Sequence, residues 1–85
     1  EMPKVYPNPV HKKFNVQFPN KYEGSVTLQI ADVVGKTFEV GKYQLRPGGT
    51  NLDVNISSLS LKPGAYFLKI INAETKTQVI KLIVR

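Results

Sequence analysis

The chain has 85 residues, which is enough for one hydrophobic core and too few for two. It contains no cysteine, so disulfides and thiolate metal sites are excluded, and no apolar run approaches the roughly 20 residues that cross a membrane as a helix. Its formal charge of +6 comes from basic residues dispersed along the chain, which predicts general attraction to anions rather than a dedicated patch.

The N-terminal third predicts an interrupted edge strand followed by two regular strands. Tyr6-Pro7-Asn8-Pro9 contains two prolines, which remove two backbone donors and confine this stretch to a sheet edge or a kinked extended segment. In the structural interpretation Tyr6 plugs the bottom of the core; in the alternative a partner recognises this stretch directly. Residues 14–18 and 26–30 alternate apolar and polar side chains, which is typical of half-buried strands, and residues 19–24 form a turn-rich connection.

Turn residues divide the middle of the chain. Asp32-Val33-Val34-Gly35 has Asp first and Gly fourth, as type I turns prefer, and we expect Asp32 to be an acceptor in that turn rather than a metal ligand. The following strand, 36–45, has a less regular pattern and is expected to break near Gly41. Arg46-Pro47-Gly48-Gly49 predicts another reversal, and residues 52–56 predict the next alternating strand.

The last 25 residues predict a hairpin, with a Lys62-Pro63-Gly64 turn before its first strand and a polar turn at 72–77 between the strands. Gly64 is expected where φ is positive or where a Cβ would clash. Because side chains alternate along a strand, one face should be buried and the other should point outward. The inward set is Tyr66, Leu68, Ile70, Ile80, Leu82 and Val84.

The outward face of this hairpin is more apolar than a solvated face. It carries Phe67, Lys69, Ile71, Val79, Lys81, Ile83 and Arg85. Apolar side chains interleaved with basic ones are typical of surfaces that bind partners, which makes this face a candidate for recognition. The alternative is that a loop of the same chain covers it.

No helical period persists for two turns, and turn signals recur every eight to twelve residues. This pattern predicts an all-β fold, an antiparallel β-sandwich of about seven strands. Catalysis needs convergent groups of tuned pKa, whereas the chain has a single histidine, His11, and no nucleophile motif. We therefore expect a protein that is not an enzyme and that uses no cofactor or metal.

Three groups of residues resemble the type A C-terminal sorting domain of cargo proteins of the type IX secretion system of Bacteroidetes, and the resemblance covers nearly the whole chain. The matching residues are Tyr6, Pro7, Asn8 and Pro9, then Asp32, Gly35 and Lys36, then Leu61, Gly64, Tyr66, Lys81 and Arg85. The resemblance implies an immunoglobulin-like sandwich and a non-enzymatic sorting signal. It also implies that residues 1–85 are one domain, excised from a larger precursor.

The resemblance further implies partners and a location. The partners would be components of the outer-membrane translocon and a sortase-like cysteine protease, with passage through the periplasm followed by surface attachment or secretion. We expect the closing hairpin to dock, with β-augmentation onto a free strand edge as a mechanism. The chain is not expected to span a membrane or to bind a specific nucleic acid.

Two other classes of function compete with sorting. A carbohydrate-binding or adhesion-type accessory module can share this fold, but it needs a flat aromatic platform. The chain has no tryptophan, and Tyr22 and Tyr43 fall on different predicted elements. Nucleic-acid binding is suggested only by the basic pI of about 9.7, without an aromatic motif or a dense basic stripe.

Overall fold

The structure is a computed structural model that describes residues 2–73 and 77–85. In this part of the chain, seven β-strands and one short 3-10 helix form. The strands are β1 (Lys4–Tyr6), β2 (Lys13–Phe18), β3 (Gly24–Asp32), β4 (Thr37–Leu45), β5 (Thr50–Asn55), β6 (Gly64–Asn72) and β7 (Gln78–Val84), and the 3-10 helix is Ser57–Leu59. The all-β prediction is confirmed. The polar turn predicted at 72–77 lies partly outside the described residues.

The strands form two antiparallel sheets that make a β-sandwich. One sheet has three strands in the order β1-β2-β5, and the other has four in the order β4-β3-β6-β7. The chain therefore passes between sheets after β2, β4 and β5. In the larger sheet Leu68 on β6 lies between Ile30 on β3 and Ile80 on β7, so the central strands share one inward row.

Alternation along the strands assembles the core as predicted. Val26, Leu28 and Ile30 of β3 are fully buried, and so are Leu68 and Ile70 of β6. From the smaller sheet, the core cluster takes Phe14, Val16, Phe18 and Val54. Each fully buried side chain of this size stabilises the fold by about 1.5–3 kcal/mol, so these rows account for much of the stability of so small a domain.

The irregular pattern of β4 reflects a β-bulge rather than a break. Leu28 pairs with Gly41, but the next residue of β3, Gln29, pairs with Glu39, which leaves Val40 as the extra residue. A Cβ at Gly41 would lie 3.0 Å from the Tyr43 hydroxyl oxygen, so a larger residue would crowd that ring. The expected break near Gly41 is therefore corrected to a bulge within a continuous strand.

Within the described residues, no helix has the length and apolar character needed to cross a membrane.

Candidate functional site

The outer face of the β6–β7 hairpin carries the side chains that alternation assigned to it. Phe67 pairs with Lys81 and Lys69 pairs with Val79, and directly paired residues of an antiparallel sheet share one face. Ile71 is 37% exposed and Val79 is 50% exposed, so no loop among the described residues covers these two apolar side chains. The hairpin face is defined here by six residues: Phe67, Lys69, Ile71, Val79, Lys81 and Ile83.

The hairpin face meets small and polar side chains on β3. Phe67 pairs with the buried Ala31, and Lys69 pairs with Gln29. The Gln29 amide donates to Glu39 Oε2 at 2.7 Å, so the sheet becomes polar towards β4. The apolar part of this surface is therefore confined to β6 and β7, with Ala31 at its border.

The two lysines of the hairpin face keep their charges available. In the described part of the chain, neither Lys69 nor Lys81 forms an ion pair with an acidic side chain. Lys81 is exposed, whereas Lys69 is half-buried between apolar neighbours. Positive charge surrounded by apolar surface attracts a carboxylate more strongly than the same charge in open water, because the local dielectric constant is lower. Arg85 follows β7 and is exposed at the end of the same strand.

The outer edge of β7 is occupied by the segment that contains Asn8. The Asn8 side chain donates to Lys81 O and accepts from Ile83 N, each at 3.0 Å. Two residues later, Val10 N donates to Ile83 O at 2.7 Å and Arg85 N donates to Val10 O at 2.8 Å, which makes a parallel bridge to Val84. The expectation that the closing hairpin offers a free strand edge is therefore wrong at Lys81 O, Ile83 N, Ile83 O and Arg85 N, because these four backbone groups already have partners.

Tyr6 does not plug the core, contrary to the structural interpretation of its motif. It ends β1 opposite Asn15 and is 48% exposed. The residue of this region that does enter the core is Val10, which is fully buried and lies two positions beyond Asn8. The edge location that the prolines predicted is confirmed, since β1 is an edge strand of the three-stranded sheet.

The Asp32 turn forms as predicted. Asp32 Oδ1 accepts from Val34 N at 3.0 Å and from Lys36 N at 2.8 Å, and Gly35 N donates to Asp32 O at 3.1 Å. Gly35 has a φ of +93°, which a residue with a side chain adopts only with strain. The Lys36 ammonium lies 5.1 Å from the centroid of the Phe38 ring. Asp32 and Gly35 thus shape the turn, and Lys36 packs against the following strand.

The turn before β6 is held by a tyrosine. The Tyr66 hydroxyl donates to Lys62 O at 2.6 Å, four residues upstream, and its ring is buried. A tyrosine that bonds back to the preceding backbone in this way recurs in β-sandwiches. Gly64 has a φ of +153°, which confirms the first of the two expectations for it, a positive φ. The second, a clash of a Cβ, is wrong, because nothing lies within 4 Å of a Cβ built there. Leu61 is half-buried against the core.

Members of all three motif groups lie beside β6 and β7, although in the first group Tyr6 lies on the three-stranded sheet and the described bonds to β7 come from Asn8. Asp32 at the end of β3 pairs with Tyr66 near the start of β6, and Gly64 pairs with Val84 near the end of β7. Val10 bridges to the same Val84. Residues far apart in sequence therefore stabilise the two strands that bear the hairpin face.

Tyr22, Asn72 and Val10 are buried, although the sequence pattern does not predict it. Tyr22 lies in the turn-rich stretch, yet it is buried with its ring centroid 5.6 Å from that of Phe18. Asn72 ends β6 and is buried, with its amide 3.3 Å from Glu23 O. Val10 is also buried, but the residues around it do not alternate between apolar and polar side chains, so no strand pattern marks it. Only the burial of Tyr22 had a signal in the sequence, because an aromatic residue within a polar turn is unusual unless it packs inward.

The described residues contain no cluster of three or more His, Cys, Asp or Glu side chains that could hold a metal ion. His11 is exposed. Tyr22 is buried and Tyr43 is half-buried against the core, so these two rings form no exposed flat platform for a ligand.

A family model described as the secretion system C-terminal sorting domain matches residues 4–85, which is nearly the whole chain. A comparison with curated proteins found no match.

Proposed function

The chain belongs to the family of secretion system C-terminal sorting domains, the sorting signals of type IX secretion cargo, and we propose that it presents this signal on the hairpin face. The family is a secretion signal rather than a catalytic domain, and its cargo is exported to the cell surface or secreted.

The observation that carries the proposal is the exposure of apolar side chains beside unpaired lysines. Val79 and Ile71 are among the six large hydrophobic side chains that are exposed in the described residues. Of the other four, Met2 and Tyr6 lie at or before β1, and Val33 and Val34 occupy the Asp32 turn. Tyr6 is the single one of the six on β1, whereas on the hairpin face two of them, Ile71 and Val79, lie on neighbouring strands next to Lys69 and Lys81. This is the composition that docking surfaces favour.

The positive charges of the hairpin face indicate the chemical character of the partner. A surface that binds Lys69 and Lys81 would present carboxylates, and it would surround them with apolar groups that cover Val79 and Ile71. Such pairing raises the association rate and penalises partners of the wrong charge. We therefore propose an acidic, partly apolar surface on a component of the outer-membrane translocon. Docking would use the face of the sheet, because Asn8 and Val10 occupy the β7 edge over residues 81–85.

We also propose how the domain is carried and released. Residues 1–85 would act as one sorting unit behind a cargo domain, since the matching family is described as C-terminal. The exported protein would pass through the periplasm before it reaches the surface. A sortase-like cysteine protease would then release the domain from its cargo; the support for this step is the resemblance of the three motif groups.

The test is a reporter protein fused to the N-terminus of this domain and expressed in a bacterium with a type IX secretion system. The variant Lys69→Glu/Lys81→Glu reverses both charges of the hairpin face. Lys4→Glu/Lys13→Glu is the matched control: both lysines are exposed on the three-stranded sheet, and each double variant changes the net charge by the same amount. Lys4, Lys13 and Lys81 are exposed, and exposed substitutions usually change stability by less than about 0.5 kcal/mol, whereas Lys69 is half-buried. Far-ultraviolet circular dichroism of both purified variants therefore checks that each is folded before export is compared.

The hairpin-face variant should remain inside the cell as folded protein, whereas the parent and the control should reach the surface. Val79→Thr keeps the β-branched shape and removes apolar contact, so it should lower export to a smaller degree. Equal export of the two double variants would show that charge at the hairpin face does not matter and would refute the proposal.

A further inference from the structure

The Asn8 side chain replaces a peptide group in a β-ladder. In a parallel pair, one residue bonds to the two residues that flank its partner. Its N–H donates to the carbonyl of the preceding residue, and its C=O accepts from the N–H of the following residue. Val10 does this with Ile83 and Arg85 around Val84. The preceding position of the same ladder requires a donor to Lys81 O and an acceptor for Ile83 N. The Asn8 carboxamide supplies both, with Nδ2 and Oδ1 each 3.0 Å from its partner.

The residue type follows from this geometry. A primary amide carries one N–H₂ group and one carbonyl oxygen on the same carbon, as a peptide unit carries a donor and an acceptor side by side. Aspartate lacks the donor, and serine or threonine offers a single oxygen. The prolines on both sides have no backbone N–H of their own to give. Asparagine at position 8 therefore extends the ladder although the flanking residues cannot donate to it.

These bonds act on the strand that carries half of the hairpin face. Lys81 and Ile83 are hairpin-face residues, and Asn8 holds the backbone carbonyl of one and the backbone N–H of the other. β7 is the last strand of its sheet, so on this side its backbone has only residues 8 and 10 as described partners. An edge strand held on one side alone frays more easily than a central strand, and its side chains then lose their fixed positions.

We propose that Asn8 is a positioning residue of the sorting signal, which fixes Lys81 and Ile83 for docking without touching the partner itself. This role rests on the proposed function of the hairpin face. It assigns the Tyr6-Pro7-Asn8-Pro9 motif an indirect part in recognition, through the backbone of β7, in place of direct contact.

The test combines Asn8→Ala with two measurements. In the purified domain, residue-resolved hydrogen exchange of the Ile83 amide should become about tenfold faster, because its one acceptor is lost. The Leu82 amide should keep its protection, because alternation directs it towards β6. In the reporter fusion, export should fall although the domain remains folded. Asn51→Ala is the matched control, since Asn51 is exposed on β5 and its side chain has no described hydrogen bond.

The exchange rate at Ile83 and the export of the reporter together test the role of Asn8. Faster exchange at Ile83 together with reduced export supports the role. Unchanged exchange, or faster exchange with parental export, overturns it. Increased export would mean that Asn8 blocks an edge that the partner uses, which also overturns it. If Asn8→Ala does not fold, Asn8→Asp replaces it: the donor to Lys81 is lost, and export should again fall. Parental export of Lys69→Glu/Lys81→Glu would instead refute the hairpin face itself, whatever the exchange at Ile83.

Discussion

The arrangement of faces on β7 can be tested by removing one buried side chain and one exposed side chain from the same strand. Leu82 is fully buried opposite Tyr66, whereas Val79 is 50% exposed on the hairpin face. Leu82→Ala removes three carbons from the core and leaves a cavity, which costs about 2–5 kcal/mol. A domain of this length is stable by only about 4–13 kcal/mol, so the variant should lose a large share of its stability.

Urea unfolding, followed by far-ultraviolet circular dichroism, measures the effect. With a loss of about 3 kcal/mol and an m-value of about 1 kcal/mol per molar urea, the midpoint of Leu82→Ala should fall by about 3 M. Val79→Ala serves as the control on the same strand. Its cost should stay within about 1 kcal/mol, the span of β-propensity, and its midpoint should shift by less than about 1 M. Equal shifts of the two midpoints would mean that the buried and exposed faces of β7 are misassigned.

Two further predictions concern the turns that hold the hairpin. Asp32→Ala should lower the free energy of unfolding by about 1–2 kcal/mol because two backbone N–H groups lose their acceptor, whereas Asp32→Asn keeps Oδ1 and should lose less than half of that. Equal urea midpoints for the two variants would refute the acceptor role. Tyr66→Phe should lower the melting temperature by about 4–8 °C, because it removes a hydrogen bond worth about 1 kcal/mol. Tyr6→Phe, at an exposed ring, should leave it unchanged, and an equal fall in both would contradict the role of the Lys62 bond.

The sequence predicted the faces of the strands because alternation is a local property. Leu68 and Ile70 are buried and Val79 is exposed since side chains of a strand point to opposite sides in turn. The turns were also predictable. Asp32 and Gly35 form the expected bonds and backbone angle because each responds to residues within four positions. Fold class followed from these two local signals taken together.

The prolines placed residues 6–9 at an edge, but the strand that this segment meets was not predictable. Alternation shows which face a residue joins and nothing about what lies beside its strand. Asn8 bonds to Lys81 and Ile83 across more than 70 residues, and no local pattern marks that contact. The error about Tyr6 has the same origin: an aromatic residue beside prolines looked like core, whereas the chain buries Val10 instead. The bulge at Val40 likewise depends on how β4 meets β3.

The proposed signal on the hairpin face would report on folding as well as on sequence. Phe67 and Lys81 lie on different strands and become neighbours only when β6 pairs with β7. That pairing is supported at one end by the Tyr66 turn and at the β7 edge by Asn8 and Val10, which come from the opposite end of the chain. An unfolded chain contains the same residues but not the surface they make together. A partner that binds the hairpin face therefore selects domains in which both ends of the chain have reached their places.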